Sequence, residues 1–288
     1  DPFIVESNMI LKITEKLDKA GITYKVFSDI VPDPPIETIA KGISAMSDFE
    51  PEAIITIGGG SSIDAAKGIK VFQHYIKDKI NKENEKKPIM IAIPTTSGTG
   101  SEVTNFSVIT DKIKNVKYPL VEDSLTPDES IIDPDLVLTV PKNITADTGM
   151  DVLTHAIEAY VSTKASDYTD ALAEKSMKIV FKYLIKVYKN GSDLEAREKM
   201  HNASCIAGMA FTNASLGLNH GMAHILGGKF HIPHGKANAI LLPYVIEYNS
   251  DINNLRDNRN SCVIKRYSEI SKLLGLSCYN DKEGVKSL

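Results

Sequence analysis

Ala53-Ile54-Ile55-Thr56-Ile57 is a short, β-branched apolar run that leads straight into Gly58-Gly59-Gly60-Ser61-Ser62 and then into a helical pattern beginning near Ile63. This order of strand, glycine turn and helix constrains the fold more than any other feature of the chain. A strand that is apolar on both faces must be covered on both, as the parallel strands of α/β sheets are. A second such run, Ile89-Met90-Ile91-Ala92-Ile93, ends in the small polar turn Pro94-Thr95-Thr96-Ser97-Gly98-Thr99-Gly100-Ser101. The alternation predicts a parallel sheet with flanking helices for this half.

Glycines directly after a buried strand let a ligand approach the backbone, and the following helix offers free N–H groups and its positive dipole end. A pyrophosphate fits that description. The pattern is neither G-x-G-x-x-G nor a P-loop, and by itself a glycine cluster is as readily a tight turn. The second turn, with Thr95, Thr96, Ser97 and Thr99, strengthens the phosphate reading, because ligands of open parallel sheets sit beyond the carboxyl ends of the strands.

Around this nucleus, residues 4–20 read as one helix with Ile10, Ile13 and Leu17 on a stripe and Gly21 as C-cap. Thr23–Phe27 alternates like a strand, Pro32–Pro35 is a loop, and Ile36–Ser47 is helical. The charged stretch Lys79–Lys87 reads as a solvated loop or helix end. After the proline-rich stretch Pro127–Pro141 the pattern changes to long helices, Asp151–Val161, Tyr168–Val187 and Leu194–Ala210. A boundary near Pro141 therefore divides the chain into an α/β domain, 1–141, and a helical domain, 142–288.

With 42% apolar and 24% charged residues in 288, the composition is that of an ordinary globular protein. A net charge of −4 without a long basic block points away from nucleic acid and acidic membranes and toward small-molecule partners. Cys205, Cys262 and Cys278 are odd in number and widely spaced, which fits a reducing compartment better than a disulfide framework. No apolar run approaches the roughly 20 residues of a membrane helix and no signal peptide is seen, so a cytoplasmic location is the default. The start at Asp1-Pro2-Phe3, without methionine, reads as a processed or partial chain.

Chemistry concentrates in the second half. Asp151 and His155 lie four residues apart in a helical segment and share one face. His220 and His224 repeat that spacing, and His231 and His234 follow, so five of the seven histidines fall at or near one feature. Taken singly, each is most simply a hydrogen-bonded or half-exposed side chain. Together, an acid and several imidazoles in a small-residue, apolar setting are costly unless a cation compensates them. One carboxylate with imidazoles suits Fe(II), Zn(II) or Mn(II), with softness favouring the first two. Spacing does not choose between His220 and His224.

These segments, Gly149-Met150-Asp151 through Ala159, Gly58 through Ser61, Pro94 through Thr104 and Asn219 through Gly235, resemble the signatures of the iron-containing alcohol dehydrogenases. The resemblance covers nearly the whole chain. It implies a nucleotide-binding α/β domain and an all-helical metal domain, the architecture shared with dehydroquinate synthase, with an active-site cleft between them. By the same resemblance Asp151, His155, His220 and His234 are the metal ligands for Fe(II), with Zn(II) as the other candidate, and His224 is the non-ligating histidine near the nicotinamide. Gly59, Gly60 and Ser61 match the pyrophosphate contacts, Asp64, Thr95, Thr96 and Thr99 the nicotinamide- and phosphate-side contacts, and Lys117 a lysine near the adenosine ribose. Asp1 matches the acidic residue that favours NAD(H) by repelling the 2′-phosphate of NADP. Family members also carry an N-terminal hairpin with a first strand, and further C-terminal helices, which this sequence lacks.

Within the family, Lys117-Tyr118-Pro119-Leu120, Lys199 through Ser204 and Gly227 through His231 look most like the propanol dehydrogenases of bacterial propanediol utilisation. That likeness implies interconversion of short aldehydes, propanal first, with primary alcohols, a homodimer, and packaging in a bacterial microcompartment with shell or enzyme partners. Butanol, lactaldehyde (1,2-propanediol) and 1,3-propanediol dehydrogenases are the alternatives within the family, and zinc enzymes such as glycerol dehydrogenase or dehydroquinate synthase are those within the fold. A metal-dependent hydrolase would use the same ligands but leave both phosphate turns unexplained, and an inactive binding protein would leave the complete ligand set unexplained.

Overall fold

The protein is described from a computed structural model covering residues 1–79, 87–114, 116–251 and 261–288. Its contacts divide it into two units, residues 1–95 with 101–132, and residues 96–100 with 133–288.

In the first unit β1 (Ala53–Gly58) and β2 (Ile89–Pro94) pair in parallel, with Gly58 opposite Pro94, so their carboxyl ends lie side by side. A two-residue β5 (Glu129–Ser130) extends the sheet from β2, giving the order β1-β2-β5. Helices α3 (Ile36–Phe49) and α4 (Gly60–Lys79) supply the apolar cover: Ile39, Met46, Ala65 and Ile69 form one cluster with Ile30 and Ile109, while Ile63 packs on Met90 and Ala92. The expected parallel α/β sheet is therefore present, but its strands are not covered on both faces throughout as their apolar runs suggest: Ile55 and Ile89 are exposed and Ile54, Ile57 and Ile91 half-buried. An antiparallel hairpin, β3 (Phe106–Asp111) with β4 (Val116–Val121), joins it without having been anticipated.

Two expectations fail upstream. The helix expected over 4–20 is two helices, α1 (Pro2–Glu6) and α2 (Leu11–Lys19), because the chain turns at Asn8, whose φ of 60° is left-handed. Asparagine tolerates that region better than most residues, so the break costs little there. Gly21 does close α2 at φ 66°, with the Ile22 N–H reaching back to the Leu17 carbonyl. Thr23–Phe27 is not a strand: among the described residues no strand exchanges hydrogen bonds with it, and alternation cannot make a ladder without a partner. What survives of the alternation is Phe27, packed against the α3–α4 cluster. Residues 80–86 of the charged stretch lie outside the described residues.

The second unit is helical from α5 (Lys142–Val161) onward, through α6 (Asp167–Lys189), α7 (Leu194–Ala214), α8 (Leu218–Phe230), α9 (His234–Ser250), α10 (Ser261–Leu273) and α11 (Asp281–Ser287). Residues 151–160 of α5 are all buried, with α6, α7, α9 and α10 packed around the helix. Its start is clamped by the buried Arg197, which donates to the Val140 carbonyl at 2.7 Å, Thr145 Oγ1 at 2.9 Å and the Gly191 carbonyl at 2.8 Å. Among the described residues no helix is long and apolar enough to cross a membrane.

Candidate metal centre and nucleotide turn

Asp151, His155 and Glu158 stand at i, i+4 and i+7 of α5 and so share one face of a helix whose surroundings are otherwise apolar. All three side chains are nearly inaccessible to water. The first turns of α8 and α9 converge on that face. His220 comes from α8, and His234 is the first residue of α9. Among the described residues, Asp151, His220 and His234 form a group whose ligand atoms all lie within 4.8 Å of one another. The ring of His155 stacks on that of His220 at 4.3 Å and on Phe211 at 4.4 Å. His224 stacks on His234 at 4.8 Å, one step further out. His231 is exposed at the left-handed C-cap of α8 and does not join the group.

His234 can reach this place because Gly235 lies against α5: a Cβ on Gly235 would sit 1.9 Å from the Asp147 carbonyl oxygen. Hydrogen bonds then fix the other members. Glu158 accepts the backbone N–H of Asn219 at 2.8 Å and of His220 at 3.3 Å, and its Oε2 pairs closely with His220 Nδ1. Asn219 donates to Asn238 Oδ1 at 2.8 Å, which orients the Asn238 amide so that its Nδ2 faces the acceptors. That nitrogen lies 2.6 Å from Asp151 Oδ1, 3.0 Å from His220 Nε2 and 3.2 Å from His234 Nε2.

The electrostatics follow from burial. Desolvation pushes His155 down to about 3, so its imidazole is neutral at physiological pH. Burial also acts against charge on His220, but Asp151 and Glu158 outweigh it and hold the ring up at about 9. Burial disfavours the Asp151 carboxylate, yet the surrounding histidines, His155 first, keep it well below the usual carboxylate range. An ionised, buried carboxylate facing several imidazoles is the donor set of a divalent cation. His155 Nδ1 is moreover buried without a hydrogen-bond partner, a state that costs about 1–3 kcal/mol unless a ligand satisfies it. The residues therefore fit a metal ion.

In the first unit, Gly59, Gly60 and Ser61 lie where β1 gives way to α4, whose helical residues begin at Gly60. The Thr95 N–H donates to the Gly58 carbonyl at 3.0 Å, joining the ends of β2 and β1. Asp1 lies against the same turn, its Cβ 2.9 Å from where a Cβ on Gly58 would stand. The Asp33 N–H donates to Ser61 Oγ at 3.2 Å, and Lys117 Nζ pairs with Asp33 Oδ1 at 2.7 Å, which links Lys117 on β4 to the turn. Asp64 is occupied internally: Ser101 Oγ and the Val108 N–H donate to its carboxylate, whose acidity burial opposes and Lys67 favours. Residues 96–100 belong to the second unit, where Ser97 Oγ lies 3.0 Å from Nδ1 of the buried His201 and Gly100 backs onto Gly208. Thr96 is half-buried and Thr99 exposed.

Sequence reasoning passed over Glu158, Asn219, Asn238 and Lys67. Glu158 continues the Asp151–His155 face by helical period, a signal that was available. Nothing in the spacing of the other three announces burial.

Residues 1–134 match the family model described as iron-containing alcohol dehydrogenase, and residues 145–288 match the C-terminal model of the Fe-containing alcohol dehydrogenase family. The chain is 52% identical to the 1-propanol dehydrogenase PduQ of Citrobacter freundii, over 94% of this chain and 69% of that protein. It is 47% identical to the NADPH-dependent butanol dehydrogenase of Clostridium saccharobutylicum, over 96% and 70%. With the aldehyde-alcohol dehydrogenase of Streptococcus pneumoniae the identity is 48% over 100% of the chain, which there spans only 35% of the relative's length. Among solved structures, the iron-containing alcohol dehydrogenase of Thermococcus thioreducens superimposes with a TM-score of 0.86 at 34% identity, covering 98% of this chain and 75% of that one. The sulfoacetaldehyde reductase of Bifidobacterium kashiwanohense, solved in complex with NAD+, gives 0.84 at 33% identity, covering 99% and 74%.

Proposed function

The chain belongs to the iron-containing alcohol dehydrogenase family, and on that premise we propose that it interconverts short-chain aldehydes, propanal first, with primary alcohols, using NAD(H) and a divalent metal. The observation that carries this reading is the group of buried Asp151 and His220 with half-buried His234, all within 4.8 Å, with neutral His155 stacked beside it. The four residues are the proposed ligands for Fe(II), with Zn(II) as the other ion suited to them. When bound, the metal supplies Lewis acidity toward a substrate oxygen and the nicotinamide supplies or accepts hydride.

The chain's own residues do the rest. Asp151 brings the negative charge that balances the cation, and His155 brings an imidazole that burial keeps unprotonated. His224, at the outer side of His234, is the proposed carrier of the alcohol proton. Gly59, Gly60 and Ser61 present the first N–H groups of α4 to the pyrophosphate. Thr95, Thr96 and Thr99 line the neighbouring turn, and Lys117, placed by Asp33, serves the adenosine ribose. Asp64 serves the cofactor site by tying Ser101 and β3 to α4. Asp1 beside Gly58 favours NAD over NADP by charge repulsion. The division into a nucleotide domain, 1–141, and a metal domain, 142–288, follows the same assignment, as do a homodimer and, by likeness to PduQ, a place in a microcompartment.

NADH consumption by the full-length, metal-reconstituted protein with propanal and butanal, run with Fe(II) and with Zn(II), tests the reading. Turnover that disappears in an Asp151→Ala/His220→Ala variant supports it. A folded, metal-loaded protein inert toward every short aldehyde overturns it.

A further inference from the structure

Helix α8 has Gly217 as its N-cap, which has no side chain to cap the orphan N–H groups of the first turn. The cap comes instead from another helix. Glu158 of α5 is buried, and its Oε1 accepts the Asn219 N–H while its Oε2 accepts the His220 N–H and faces His220 Nδ1. A Cβ on Gly217 would stand 2.8 Å from Glu158 Oε1, so the glycine leaves the carboxylate room to reach the helix end. One carboxylate thus grips both the backbone and the ring of the same histidine.

The two ring nitrogens of His220 consequently face different chemistry. Nδ1 meets an acceptor-only carboxylate, and so carries its proton. Nε2 lies 3.0 Å from Asn238 Nδ2, a donor, and so is the nitrogen that holds the lone pair once the ring gives up its second proton to make way for a cation. The lone pair points among Asp151 and His234, where the metal reading above places the cation. We infer that Glu158 is the positioning residue of the metal centre: by holding Nδ1–H and the start of α8 it fixes the orientation and tautomer in which His220 offers Nε2. This inference rests on the metal-enzyme reading and extends it to a residue outside the ligand set.

Glu158→Gln separates the possibilities. An amide has one accepting atom, so it cannot serve both the Asn219 N–H and His220 Nδ1–H, and its NH2 group favours the opposite tautomer with Nε2–H turned inward. Zn2+ affinity of the full-length protein, measured by competition with a chromophoric chelator, should fall ~10- to 100-fold. In 15N-histidine spectra the Zn2+-loaded wild type should show a protonated, hydrogen-bonded Nδ1 on the ring absent from His220→Asn. A role confined to capping α8 predicts lower thermal stability with unchanged Zn2+ affinity and unchanged tautomer, and that result overturns the inference. Should the variant not fold, the wild-type spectrum decides alone: His220 bound through Nδ1, or with Nδ1 unprotonated, refutes it. A wild type that takes up no Zn2+ overturns the metal reading itself, which keeps the two failures apart.

Discussion

Gly235→Ala sets two opposed effects against each other at the point where the metal group is assembled. Alanine is worth up to about 1 kcal/mol more than glycine in a helix, less in the first turn where Gly235 stands, and Gly235 has no left-handed backbone to forbid it. Propensity alone therefore predicts stabilisation. Packing predicts the reverse, because the new Cβ would fall 1.9 Å from the Asp147 carbonyl oxygen and 2.5 Å from its carbon. Both are backbone atoms of α5, which cannot rotate away as a side chain would. The start of α9 must retreat by about 1 Å before even a 3.0 Å approach is reached. His234 is the adjacent residue, 3.7 Å from Asp151 through Nε2, and ligand distances tolerate only about 0.2 Å. Overpacking of this kind costs about 1–3 kcal/mol, which outweighs the propensity gain. The expected variant is modestly destabilised in urea and binds Zn2+ at least ~10-fold more weakly. A Gly235→Ala protein that is more stable than wild type and keeps its metal affinity would show that the α5–α9 contact does not position His234, and would refute the reasoning.

Lys67 is fully buried on α4, with its ammonium donating to the Thr104 and Phe106 carbonyls at 2.7 and 2.8 Å and to Thr104 Oγ1 at 3.1 Å. Lys67→Met removes the cation from those oxygens and from beside the Asp64 carboxylate, and should cost about 3–5 kcal/mol by urea unfolding; a loss below about 1 kcal/mol would contradict the network. Glu102 behaves oppositely: burial pushes its carboxyl up to about 7 against the pull of Lys67. A folded-state pKa raised above the unfolded value favours folding only in the protonated form, so this group's stability is present below about pH 4 and is lost as pH rises toward 7. Glu102→Gln should therefore match wild type near pH 4 and exceed it by up to about 3 kcal/mol at pH 8, and equal stabilities at pH 8 would show the carboxylate to be solvated. Asp1→Ala in the full-length protein should raise the NADPH-to-NADH ratio of kcat/KM by ~10-fold, whereas an unchanged ratio would remove Asp1 from cofactor selection.

What the sequence could disclose was whatever depends on the period of a single element. The two parallel strands were legible from β-branched runs, and the pairing of Asp151 with His155 followed from the rise of one helix. Both are local. The hairpin of β3 and β4, the break at Asn8 and the missing ladder at Thr23–Phe27 depend on which partner a segment meets, and alternation says nothing of that. The histidines show the same division. Period puts His220 and His224 on one face of α8, so it cannot rank them; the ranking comes from α5, which offers Asp151 and Glu158 to His220, while His224 stacks on the ring of His234. Glu158 is the instructive case, since i+7 from Asp151 is as plain in the sequence as i+4. A glutamate on a helix face is by default a solvated charge. Only the arrival of a helix whose N-cap is a glycine makes burying this one favourable, because the α8 N–H groups and the His220 ring then satisfy it together. The face was readable from α5 alone, whereas the reason for its charge lies in the helix that docks on it.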